Sequence, residues 1–166
     1  MAIVNNASNN GVEDMIPKVE MRKRIARIIA ATRFPFIDQT TWGDLKTVVN
    51  DEPRFGVEGP DGVVYPSIAI LRPDGGLQEV GEVEMEDSVT EVQVPKWRLL
   101  SEKTGMGRKV KKLYIYVPEG LEDVAKRLLE ENGIEYAGLR TWAIREGQLA
   151  LTPIVTPDGM VDHRPT

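Results

Sequence analysis

Two turn signals constrain this chain more than any other feature. Gly59-Pro60-Asp61-Gly62 and Pro73-Asp74-Gly75-Gly76 combine a proline of fixed φ with glycines that tolerate left-handed backbone. Residues 54–58, 63–71 (VVYPSIAIL) and 77–85 flank these corners and read as strands. Three strands joined by two tight corners predict an antiparallel meander over 54–85. Pro66 has no N–H to give to a ladder, so it marks an edge or an irregularity in the second strand.

The third strand opens an acidic stretch. Residues 79–91 hold six acids and no base. Alternation sends Val83 and Met85 to one face and Glu82 and Glu84 to the other. Carboxylates at i and i+2 on a strand stand roughly 7 Å apart. At an effective dielectric of about 20 they repel by roughly 2 kcal/mol. A solvated face tolerates that repulsion, and a bound cation turns it to use. The residues alone leave both readings open.

The elements around this stretch follow from periodicity. Met21, Ile25, Ile28 and Ile29 predict a helix over 18–32, with Arg22, Lys23, Arg24 and Arg27 as a basic face and Glu20 its one acid. Trp42, Leu45 and Val49 predict a short helix over 41–50. Ser88-x-x-Glu91 has the form of a capping box and predicts a helix from Ser88 to about Lys103, its regular part delayed by Pro95. Residues 113–117 (LYIYV) predict a buried strand. Leu121, Val124, Ala125, Leu128 and Leu129 predict a helix over 120–132 that stops at Gly133. A last hairpin runs over 140–144 and 148–154 with its turn at Glu146-Gly147. Residues 1–17 read as a mobile arm, 18–156 as one domain and 157–166 as a loose tail. The order is helix, three antiparallel strands, helix, strand, helix, hairpin, which predicts an α/β (α+β) domain with helices on a mixed sheet.

Composition narrows the chemistry. A chain of 166 residues suggests a single domain. With no cysteine, disulfides and thiolate metal sites are excluded. His163 is the only histidine, which argues against a His-rich zinc site and a Ser-His-Asp triad. No apolar run is long enough to span a membrane, and the N-terminus lacks the pattern of a signal peptide. A cytoplasmic protein with no membrane partner is the expectation. The net charge of −5 means that any nucleic-acid binding needs local basic patches. Lys103, Arg108, Lys109, Lys111 and Lys112 make one such patch: a phosphate-contacting loop, or only a charged one. Gly105-Met106-Gly107 lacks the spacing and the Lys-Ser/Thr of a phosphate loop.

The element order, with acids on the third strand, resembles the PD-(D/E)XK nuclease superfamily, the restriction-endonuclease-like fold, over roughly residues 18–117. Glu20 matches the family's helical Glu. Tyr65-Pro66-Ser67-Ile68 falls at the Pro-Asp motif and Glu82-Val83-Glu84 at the acid-x-Lys triplet. Gln93 and Trp97 match a Gln-x-x-x-aromatic motif on the next helix. The resemblance implies Mg²⁺ or Mn²⁺ on Glu82 and Glu84, with Glu20 a possible third ligand and Gln93 an orienting group. It implies hydrolysis of DNA or RNA, the metal activating water. Ser67 stands where the family has Asp, and Glu84 where it has Lys; Lys96 on the following helix is one candidate to reach back, and Lys18 and Lys23 are no worse by sequence alone. These departures imply a degenerate site with reduced or lost phosphodiesterase activity. An active metal-dependent nuclease and an unrelated α/β binding or structural domain are the alternatives.

Overall fold

The apolar stripe of residues 21–29 folds as helix α1 (Lys18–Arg33), with Ile25, Ala26, Ile29 and Ala30 buried against a sheet. The computed structural model describes residues 17–33, 45–105 and 112–157. The sequence predicts a helix over 41–50, and here the structure corrects it. Residues 41–44 lie outside the described residues, and Lys46–Val49 is strand β1. Thr47, Val48 and Val49 are β-branched and pair antiparallel with Ile70, Ala69 and Ile68. A three-residue helical period is weak against four rungs of ladder and a buried face.

The meander predicted over 54–85 is corrected as well. Strands β2 (Val57–Gly59) and β3 (Gly62–Val64) form a two-stranded ribbon of their own, around the first turn signal. The single strand predicted over 63–71 is two strands in two sheets, because β4 (Ile68–Leu71) belongs to the main sheet. The break falls at Tyr65-Pro66-Ser67, where Pro66 cannot donate to a ladder. The second turn signal joins β4 to β5 (Leu77–Val83), antiparallel with an irregularity at Ile70/Leu71. The antiparallel run of the main sheet is therefore β1-β4-β5, with the ribbon inserted between β1 and β4.

Helix α2 (Val94–Gly105) follows a 3-10 turn over Glu91–Gln93. Ser88 does not cap it. Thr90 caps the 3-10 turn, its hydroxyl accepting from the Val92 N–H at 3.3 Å, while the Ser88 hydroxyl is taken by Glu84. Pro95 sits in the first turn of α2, where a missing N–H leaves no bond unmade. Strand β6 (Leu113–Pro118) runs parallel to β5, as the apolar run predicts for a strand added to this sheet. Helix α3 (Glu122–Glu131) ends before Gly133, which takes a φ of +65°. Strands β7 (Gly138–Arg145) and β8 (Gln148–Val155) close the sheet as a hairpin. Glu146 and Gly147, at φ 53° and 78°, make its turn, with the double positive φ of a two-residue hairpin.

The main sheet has the order β1-β4-β5-β6-β7-β8 and is mixed, since β5, β6 and β7 are parallel neighbours and the other pairs antiparallel. Helices lie on both faces, an α/β architecture. One core joins α1 to Ile68, Ile70, Val83, Tyr114 and Tyr116. The other joins α2 and α3 to Val80, Leu113, Ile115, Val117 and Leu139. The parity of β6 (Leu113, Ile115 and Val117 one way, Tyr114 and Tyr116 the other) assigns its side chains to these two cores. Among the described residues no helix is long and apolar enough to cross a membrane.

Candidate functional site

The C-terminal end of β5 runs under the start of α2, and a cleft of about 280 Å³ opens there. It is lined by Lys18 and Arg22 from α1, Glu82 from β5 and Glu84 just beyond it, Gln93 from the 3-10 turn and Lys96 from the start of α2. Glu82 and Glu84 face the α2 side, opposite Val83 and Met85, which join the α1 core. The alternation predicts this division. The pair is not a solvated face, however: each glutamate is 1% exposed. Carboxylates so buried require partners, and each has its own set.

Glu82 is held between β4 and α2. Its Oε1 accepts from the Ser67 N–H at 2.9 Å and from the Ser67 hydroxyl at 3.4 Å. The Lys96 ammonium lies 2.5 Å from its Oε2. That oxygen is buried, and the Lys96 ammonium is the charge set against it. Ser67 is 3% exposed and is itself pinned. Its hydroxyl accepts from Arg22 Nη1 at 3.2 Å and from the Val83 N–H at 3.1 Å. The side chain at the Asp position of the resemblance therefore relays donors toward Glu82.

Glu84 is enclosed more completely. Its Oε1 accepts from the Ser88 hydroxyl at 2.6 Å and Gln93 Nε2 at 2.9 Å. Its Oε2 accepts from the same Gln93 nitrogen at 2.9 Å and from Trp97 Nε1 at 2.8 Å. Trp97 is fully buried, so it anchors the core and caps the carboxylate at once. Burial, and next the negative charge of Glu82, push the Glu84 carboxyl from 4.5 up to about 7, against the pull of the Ser88, Trp97 and Gln93 hydrogen bonds. Its backbone is tied too: the N–H donates to Tyr116 O at 2.8 Å, and the carbonyl accepts from Trp142 Nε1 at 3.0 Å.

This donor set does not fit a resident Mg²⁺ or Mn²⁺. A carboxylate offers about four lone-pair sites, and at Glu84 all are engaged by Ser88, Gln93 and Trp97. Glu82 already faces an ammonium. Mg²⁺ asks for near-octahedral oxygen ligation, yet among the described residues no three His, Cys, Asp or Glu side chains gather to hold a metal. Glu20 lies on the exposed surface of α1 and pairs with Lys23 at 3.5 Å, outside the cleft lining.

The structure thus brings together Ser67, Glu82, Glu84 and Gln93 of the residues singled out by sequence, and of the candidate lysines it sets Lys96 against Glu82. Lys103 lies elsewhere, exposed near the end of α2. Lys112 precedes β6, its carbonyl accepting from the Val80 N–H. Arg108, Lys109 and Lys111 lie outside the described residues. Two partners escape sequence reasoning. Ser88, four residues after Glu84, reads as a helix cap because the capping-box pattern is local. Arg22 reaches a serine 45 positions away, a contact with no sequence signal. Comparison with protein-family models, with curated proteins and with solved structures finds no match.

Proposed function

We propose that this chain is a nucleic-acid-associated protein of the PD-(D/E)XK nuclease type in which metal-dependent phosphodiesterase activity is reduced or lost. The order of elements supports the type: a helix, the antiparallel run β1-β4-β5 with its acids at the end of the third strand, a helix, then a parallel strand. The loss is carried by one observation. The two carboxylates that would ligate a metal are satisfied by the protein's own donors, Lys96 at Glu82 and Ser88, Gln93 and Trp97 at Glu84. Ser67, at the position where a hard anionic ligand belongs, donates to Glu82 instead.

The association with nucleic acid rests on charge. Lys18, Arg22 and Lys96 line the cleft, and Arg24 and Arg27 continue the exposed basic face of α1. Lysine and arginine side chains meeting phosphates release counterions, so binding weakens steeply with salt. The experiment pairs two assays on the whole chain. Binding of labelled DNA and RNA is followed across a salt series in EDTA, and cleavage is assayed with Mg²⁺ and Mn²⁺. Salt-sensitive, metal-independent binding with no cleavage is the expected result. Metal-dependent cleavage abolished by Glu82→Gln would establish an active nuclease. No binding at low salt would leave an α/β domain of another kind.

A further inference from the structure

The misfit between this cleft and a metal has a specific cause on α2. We propose that the Lys96 ammonium is the resident cation of the carboxylate pair, tethered where a divalent metal would otherwise sit. Three observations carry this. Glu82 is 1% exposed, so its charge must be neutralised in place. Glu82 lines the cleft, and its Oε2, itself buried, faces the Lys96 ammonium rather than a neutral hydrogen-bond donor. The Lys96 nitrogen stands 2.5 Å from that oxygen.

The helix makes the exchange permanent. Lys96 lies between Gln93 and Trp97, both of which hold Glu84. The turn that carries Lys96 is therefore anchored to the second carboxylate by its neighbours, while its own head serves the first. Among the described residues, the other cations lining the cleft are Arg22, bound to Ser67, and Lys18, which pairs with Asp87 at the rim at 3.3 Å. Arg22 donates to a hydroxyl and Lys18 to an exposed acid, which leaves Lys96 as the ion partner of Glu82. An ammonium is a compact charge with three donors and no need of octahedral ligands. It neutralises Glu82 without a third carboxylate, which is what Ser67 fails to supply.

The test is Mn²⁺ uptake, read from loss of the free-ion electron paramagnetic resonance signal, on the folded whole chain. The parent is expected to take up no Mn²⁺ in a Glu82-dependent way. Lys96→Met frees Glu82 Oε2 as a carboxylate ligand, with water completing the shell, and is expected to take up Mn²⁺ at least about tenfold more tightly and to gain thermal stability from it. Lys96→Met/Glu82→Gln removes both charges and is expected to fold and to ignore Mn²⁺. A parent that binds Mn²⁺ through Glu82 as tightly as Lys96→Met overturns the proposal, as does a folded Lys96→Met that takes up none. If Lys96→Met folds only when Mn²⁺ is added, the metal has replaced the ammonium and the proposal stands. If it fails to fold with or without Mn²⁺, the proposal falls. Nucleic-acid binding enters none of these readouts, so this result stands apart from the association proposed above.

Discussion

Glu84 concentrates the electrostatics of the site. Its carboxyl titrates near 7 in the folded protein against an ordinary 4.5, because burial and the Glu82 charge outweigh its hydrogen bonds. The folded state therefore holds this proton more tightly than the unfolded chain does. The stability it contributes is complete below pH 4.5 and is lost as the pH rises through about 7, a difference of roughly 3 kcal/mol. Denaturant unfolding at a series of pH values should show stability falling across that window. Glu84→Gln should flatten the fall, and an unchanged slope would contradict the raised carboxyl. Trp97→Phe keeps the ring in the core and removes the indole N–H at 2.8 Å from Glu84. It should cost roughly 1–3 kcal/mol above pH 7 and move the Glu84 titration further up, which pH-dependent NMR of the carboxyl carbon would detect.

At the scale of elements, Asn50 decides how the ribbon leaves the sheet and returns to it. Its Nδ2 donates to Phe55 O at 2.9 Å and Pro66 O at 2.7 Å, and its Oδ1 accepts from the Arg54 and Phe55 N–H groups at 2.9 and 3.0 Å. Its backbone N–H donates to Ser67 O at 3.0 Å. The residue thus ties the end of β1 to the approach of β4, its side chain holding Pro66 and its backbone N–H holding Ser67, the neighbour of Glu82. Asn50→Ala abandons four side-chain bonds and should cost roughly 2–4 kcal/mol. Asn50→Asp keeps the acceptors, loses the donors and should fall between. Chemical denaturation gives the order, and limited proteolysis should cut first within residues 51–66. The far end of the ribbon docks on α2: a Cβ at Gly59 would come within 2.7 Å of Leu99 Cδ2. Gly59→Val should therefore loosen the ribbon while leaving β1-β4-β5 intact, a difference that amide exchange would resolve.

For the whole molecule the issue is how a chain of net charge −5 would meet a polyanion. Like charges repel at long range and are screened within about a Debye length, so attraction must come from local patches. The basic face of α1 and residues 103–112 are two such patches. If Lys109, Lys111 and Lys112 each meet a phosphate, replacing all three by Gln should reduce the log–log salt slope on duplex DNA by roughly 2.7, at about 0.9 per contact. A fluorescence-anisotropy titration from low to high salt measures it. An unchanged slope would remove that segment from the interface and leave the α1 face as the candidate.

Sequence alone determined the local geometry of this protein. It set both turns, the stripe of α3 with its Gly133 stop, the Glu146-Gly147 hairpin and the common face of Glu82 and Glu84. Each follows from sterics and periodicity within a few residues, which no distant partner need supply. Tertiary structure decided the rest. Residues 46–49 became strand because Ile68–Leu71 lay beside them, and the ribbon left the main sheet where Pro66 broke the ladder. An acidic strand face became a buried site because α2 covered it. Lys96, 14 residues beyond Glu82, and Arg22, 45 residues before Ser67, became its partners. Burial and ion pairing depend on what a neighbouring element brings to the same point in space, and alternation along one strand carries no record of that neighbour.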